Sequence, residues 1–208
     1  MMHDYAIFNH SRANIGRFLG IGSMMISSAV TSILVAVSTW TGNTVYASAG
    51  ITGAVIYLGL HWFFNKTLWK FKFFDIPNIQ GVWIVRGESL REGDNQSDEA
   101  DNVRFLWKGE LDIAQSWEKI SITQETSQSN SKSYTATLEK CTKTTGGSVL
   151  HYSYKNFPKI GEHHELRGHG GYCEITFDEE AKTAIASYFN SNGRRTFGRM
   201  YLTKKEHK

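Results

Sequence analysis

From residue 18 to residue 65 the chain runs 48 residues without an Asp, Glu, Lys or Arg, while all 43 formal charges fall in the other 160. A stretch of that length with no charge belongs in a bilayer. One crossing takes about 20 apolar residues as a helix. The window, broken by Trp40-Thr41-Gly42-Asn43-Thr44, therefore reads as a hairpin of two transmembrane helices at residues 15–40 and 46–64. A cleavable signal has a shorter apolar core followed by a small-residue cleavage site; here a second apolar stretch follows the first, so the segment is an anchor. A buried hairpin of a soluble protein would need a large surrounding core, which the β-rich remainder does not supply.

Arg12 and Arg17 precede the first span and Lys66, Lys70 and Lys72 follow the second, whereas the turn is uncharged. The positive-inside rule then puts both termini in the cytoplasm, with the protein multi-pass. Trp40, Tyr46, Trp62 and Trp69 sit where aromatic rings favour the membrane–water boundary. Small residues recur four apart: Gly16 with Gly20, Ser23 with Ser27, and Ala49 with Gly53. Such spacing lets helices approach closely in lipid. The two spans packing on each other is one use of these faces, but small residues lie on several sides, more than one partner helix covers.

From Asp75 the pattern changes to alternation of apolar and polar residues, the period of a half-buried strand. It recurs at residues 79–87, 109–117, 119–126, 133–140, 149–155, 166–177, 183–189 and 196–203, eight strands separated by turn signals such as Gly146-Gly147 and Asn190-Ser191-Asn192-Gly193. Two domains result: residues 1–74, the hairpin with a basic juxtamembrane linker, and residues 75–208, all β. An eight-stranded antiparallel up-and-down barrel removes the exposed edges that a sandwich must protect. Its interior is wide enough for side chains or one small ligand. The longest loop, residues 88–104, carries six acids against Arg91 and Arg104; it reads as a solvated hairpin loop, with a lid or a partner contact as the other use.

The residues offer little to catalysis. His163, His164 and His169 form a histidine cluster, but Cys141 and Cys173 stand alone, without a CxxC pair, and neither a nucleophile elbow nor a GxxxxGK loop is present. No enzyme, metal site or cofactor is expected, and the cysteines read as reduced thiols. The ligand-binding candidates are Tyr152, Tyr154 and Tyr188 with Arg167, Arg194, Arg195 and Arg199. Tyrosine rings stack on bases and guanidinium groups grip phosphates in a bidentate manner. Each alone is also explained by cross-strand aromatic pairing or a solvated basic edge; the set adds support to a small anionic nucleotide, not DNA or RNA. The alternative is a lipocalin-like cup for an apolar ligand, and the polarity of the interior separates the two.

The order of parts carries a resemblance. Two small-residue-rich spans, the junction Lys66-Thr67-Leu68-Trp69-Lys70-Phe71-Lys72, and Ile76-Pro77-Asn78-Ile79-Gln80-Gly81-Val82-Trp83 opening an all-β domain resemble the two-transmembrane β-barrel effectors of bacterial CBASS antiphage systems. Supporting segments are residues 107–122, His169-Gly170-Gly171-Tyr172-Cys173-Glu174-Ile175 and Tyr188-Phe189-Asn190-Ser191-Asn192-Gly193-Arg194. The resemblance implies that a cyclic-nucleotide synthase answers phage infection, that its cyclic dinucleotide binds the barrel, and that the protein then assembles as a homo-oligomer and disrupts the inner membrane, killing the infected cell. It assigns no ligand contact to an individual residue.

Overall fold

The computed structural model describes residues 1–42, 52–90, 103–141, 147–161, 168–191 and 196–206. The chain divides into two units, residues 1–9 with 72–208, and residues 10–71.

The first unit is a closed barrel. Its strands are β3 (Gly81–Leu90), β4 (Val103–Gln115), β5 (Lys119–Thr126), β6 (Ser129–Lys140), β7 (Ser148–Pro158), β8 (His169–Phe177), β9 (Thr183–Ser191) and β10 (Phe197–Lys204). Each pairs antiparallel with the next, and β10 returns to β3 through Phe197↔Leu90 to Lys204↔Trp83. This is the eight-stranded up-and-down barrel that the alternation predicts. Several strands run longer than the pattern, however: β6 starts at Ser129 instead of residue 133, and β3 and β4 take residues 88–90 and 103–104 from the expected acidic loop, whose residues 91–102 lie outside the described residues.

One half of the interior is solid. Trp83, Val85, Leu111, Ile113, Ile120, Ile122, Leu138, Leu150, Ile175, Phe177 and Leu202 are all buried, with Phe177 edge-on to Trp83 at 5.0 Å between centroids. Burying each such side chain stabilises by about 1.5–3 kcal/mol, so this half anchors the strands that bear the other.

Among the described residues the wall splits between β5 and β6, and the N-terminus fills the gap. β5 and β6 pair only from Thr123↔Lys132 to Glu125↔Asn130. Beyond a bulge between Ser133 and Thr135 the two strands part, as bulges bend strands out of register. The two-residue strands β1 (His3–Asp4) and β2 (Ala6–Ile7) lie in the gap. His3 and Asp4 pair antiparallel with Ile120 and Lys119, while Ala6 and Ile7 pair parallel with Thr137 and Leu138. Tyr5 between them is buried in the barrel core. Residues 1–9, which the charge pattern assigns to the hairpin domain, thus belong to the barrel, because their backbone satisfies strand edges that β5 and β6 leave unpaired.

The second unit holds α1 (Arg12–Thr41) and α2 (Gly53–Lys66). Ser11 caps α1, its hydroxyl accepting from the Asn14 amide, and Gly42 ends it in the left-handed conformation at φ 69°. With 30 residues, α1 is long and apolar enough to cross a membrane. Several of its hydroxyls bond back along the helix: Ser23 donates to the Gly20 carbonyl at 2.7 Å, Ser32 to the Ser28 carbonyl at 2.9 Å and Thr39 to the Val35 carbonyl at 2.9 Å. α2 spans 14 described residues, about 21 Å, so the described helices are one long helix and one short one rather than a clear hairpin of spans 15–40 and 46–64; residues 43–51 lie outside the described residues. Gly53 faces Ser27 Cβ and the Ser23 carbonyl, at 3.9 and 4.0 Å from where its Cβ would stand, and Gly16 faces the Tyr57 hydroxyl. Those small residues serve the contact of α1 with α2. A Cβ on Gly20 would meet nothing within 4 Å, and Ala49 lies outside the described residues.

Candidate functional site: a polar, ring-lined cavity in the barrel

Along every barrel strand the inward positions change chemistry at one level. β3 passes from Trp83 and Val85 to Gly87 and Ser89, β7 from Leu150 to Tyr152, Tyr154 and Asn156, and β9 from Ala184 and Ala186 to Tyr188 and Asn190. Beyond that level the barrel opens into a cavity of about 930 Å³, within the range of about 300–1,000 Å³ usual for small-molecule sites. Its lining includes Ser89, Trp107, Gln124, Ser131, Tyr154, Asn156, His169, Tyr188, Asn190 and Thr196.

Glycines set the rings. A Cβ on Gly87 would fall 2.0 Å from the Trp107 indole, and one on Gly171 would fall 2.4 Å from the Tyr154 ring. Both rings therefore lie against bare backbone of a neighbouring strand, and any side chain there would push them into the cavity.

Hydrogen bonds then fix the polar ends. The Trp107 Nε1–H donates to the Tyr188 hydroxyl at 3.2 Å, which Ser89 Oγ also meets at 3.0 Å. The Tyr154 hydroxyl donates to Asn190 Oδ1 at 2.7 Å, and Asn190 Nδ2 donates to Thr196 Oγ1 at 2.6 Å. Asn156 Nδ2 lies 3.3 Å from His169 Nε2, while Asn156 Oδ1 is buried with no partner among the described residues. Such an orphaned acceptor costs about 1–3 kcal/mol, which a donor on a bound ligand would offset.

The floor of the cavity stays neutral. Burial, then the neighbouring Cys173, raises the Tyr152 phenol well above its ordinary value. Burial likewise pushes the Cys173 thiol up to about 12, against a hydrogen bond with Tyr152 that lowers it. Neither group becomes an anion at physiological pH. Glu88, the carboxylate bordering the cavity among the described residues, occupies an outward position of β3, and the two-residue strand period turns Arg86 and its cross-strand partner Lys108 to the same outer face. An arrangement of neutral donors and flat rings suits a ligand that carries aromatic groups with polar edges.

Of the expected ligand-binding residues, Tyr152, Tyr154 and Tyr188 line this cavity. Arg199 does not. It alternates with the inward Gly198 and Met200, so the two-residue strand period turns it to the outer face of β10. Arg167, Arg194 and Arg195 lie outside the described residues, as do His163 and His164. Sequence reasoning missed Trp107, Ser89, Asn156 and Asn190. The inward glycines and serines of β3, β6 and β8 were the available signal, because they interrupt the apolar period all at one height.

Residues 74–204 match the Cap15 cyclic dinucleotide receptor domain and residues 13–70 match the Cap15 TM helices. The chain belongs to the Cap15 family. It is also 34% identical over 218 residues to CD-NTase-associated protein 15 of Yersinia aleksiciae, covering 99% of this chain and 98% of the relative. The cavity therefore lies inside a cyclic dinucleotide receptor domain, and the apolar helix α1 inside a membrane region. No residue of the cavity is assigned by these matches, so the geometry above is what names them.

Proposed function

We propose that this protein is a non-catalytic CBASS effector. A cyclic dinucleotide released by a synthase on phage infection binds the barrel cavity, promotes homo-oligomerisation in the bacterial inner membrane, and so disrupts that membrane. The observation that carries this reading is the cavity of stacking rings and neutral donors within a receptor domain of the Cap15 family. Trp107, Tyr154 and Tyr188 are the stacking surfaces; Asn156, Asn190 and Ser89 read polar edges. The phosphates fall to Arg167, Arg194 and Arg195, three of the arginines that the sequence nominates. An enclosed barrel interior admits a small ligand and excludes a nucleic-acid strand. The lipocalin-like alternative is disfavoured, since an apolar ligand would leave that many polar groups unpaired.

The fold also supports a two-crossing topology. β1 and β2 pair inside the barrel wall, so the chain before and after the apolar region lies in one folded body. An odd number of crossings would place the two parts on opposite sides of the membrane. With basic residues at both flanks, that shared side is the cytoplasm.

The reading is tested by dye uptake in cells that express the protein with its synthase. Uptake that depends on an active synthase is expected; uptake that is equal with a catalytically dead synthase would contradict ligand gating.

A further inference from the structure

The segment that closes the β5–β6 split comes from far away in the chain. Residues 10–71 separate it from the rest of the barrel, and it is held by two two-residue ladders, the Phe8 amide to Leu138 carbonyl bond at 2.8 Å, and the side chain of Tyr5. Only four residues, 8–11, join it to α1, with Asn9 in the left-handed conformation at φ 57°. The groove it fills is specific, because one side demands an antiparallel and the other a parallel neighbour, with a pocket between for one tyrosine ring. An identical segment from another copy satisfies the same edges and the same pocket.

We infer that the N-terminal segment, residues 3–7, is an exchangeable stave of the barrel, and that in the assembled state it fills the β5–β6 split of a second copy. The inference rests on the oligomerisation reading above and names the surface through which barrels join. Exchange conserves every contact of the stave, so the balance between closed and exchanged forms is set by small terms. The ligand needs only a modest preference for the assembled form to tip it. Two features favour a neighbouring copy as the donor. Both copies are confined to one membrane, which raises effective concentration, and a strand edge left by a departing stave is a template for pairing with another chain. The reach is short: four residues extend about 13 Å, so exchange takes place only between copies whose α1 helices are already adjacent.

The test uses the full chain in phosphatidylethanolamine–phosphatidylglycerol vesicles, with Cys141→Ser as background; Cys173 is buried. Asp4 and Lys119 are cross-strand partners, so cysteines at these positions lie within disulfide reach. One preparation carries Asp4→Cys and the other Lys119→Cys, the two are reconstituted together, and a panel of cyclic dinucleotides built from A, G and U is added under mild oxidation. A mixed disulfide dimer is expected to rise about fivefold or more with the active ligand. The double variant Asp4→Cys/Lys119→Cys, oxidised within one chain, is expected to bind ligand normally and to remain monomeric by lysine-directed crosslinking until reduced. Ligand-driven assembly with no mixed disulfide, or with the oxidised double variant assembling as fully as the parent, overturns the exchange alone. A parent chain that no panel member assembles overturns the effector reading and the exchange with it.

Discussion

The carboxamide of Gln115 donates to the Tyr5 hydroxyl at 3.1 Å across 110 residues of sequence. The same Nε2 donates to the Pro77 carbonyl at 3.0 Å, and Oε1 accepts from the Ile79 amide at 3.0 Å. One side chain on β4 therefore fastens both the segment that precedes α1 and the segment that follows α2. The opposite end of β4 bears Trp107 in the cavity, so the ligand site and these two attachments share a strand.

Removing that node is expected to destabilise the barrel. Gln115→Leu leaves the Ile79 amide and Pro77 carbonyl without their partner, at about 1–3 kcal/mol for each buried group, whereas Tyr5→Phe loses about 0.5–1.5 kcal/mol. Urea midpoints at unchanged slope measure the difference. Equal stability of Gln115→Leu and the parent would show that the node carries no weight.

The two glycine faces of α1 and α2 are expected to behave differently. At Gly53 an added Cβ would already be in contact with Ser27 and the Ser23 carbonyl, so the further atoms of Gly53→Leu press on α1 and should cost about 1–3 kcal/mol in the monomer through overpacking. Gly20→Leu meets open space; it should leave thermal stability and ligand binding intact while lowering dye uptake by blocking close approach of another helix. Full uptake by a well-inserted Gly20→Leu protein would remove that face from assembly.

Alkaline pH should weaken the fold. Cys173, with an ordinary value of 9.0, is held protonated up to about 12 in the folded state, chiefly by burial, and Tyr152 shifts in the same direction from 10.0. The unfolded chain releases these protons first. The stabilisation is fully present below about pH 9 and is lost as pH rises from there towards 12, by up to about 1.4 kcal/mol per pH unit from the thiol alone. Urea unfolding at about pH 8, 9, 10 and 11 follows it, and Cys173→Ala should flatten the onset; a parent curve level across that range would speak against the buried thiol.

Topology is checked with a cysteine at Asn43 in the Cys141→Ser background. An impermeant thiol reagent should label it in intact spheroplasts, since the proposed topology puts the turn between the two crossings in the periplasm. Labelling only after lysis would reverse the assignment.

The barrel was legible because its lower half obeys one rule. Leu111 and Ile113, like Ile120 and Ile122, stand two apart on a strand and are all buried, so the period of a half-buried strand shows directly in the sequence. The upper half was not legible, for the reason that makes it a site. Where Ser129, Ser131 and Gly171 replace aliphatic side chains on inward positions the apolar period fades, and β6 reads four residues too short. Arginine pattern misled at Arg199, because the strand period had to be phased by Met200 and Leu202. The N-terminal stave was invisible: two pairs on each side carry no periodicity, and Tyr5 looks like any residue ahead of an anchor.

The central claim is that the cavity binds a cyclic dinucleotide, and calorimetric titration of the full chain in detergent with cyclic dinucleotides built from A, G and U tests it most directly. Saturable binding of at least one member at one ligand per barrel is predicted, weakened by about 1–3 kcal/mol, or about 5- to 150-fold, in Trp107→Ala and in Tyr154→Ala if each ring stacks on a base. Heats indistinguishable from dilution for every member, or an affinity unchanged in both variants and in their combination, would contradict the account.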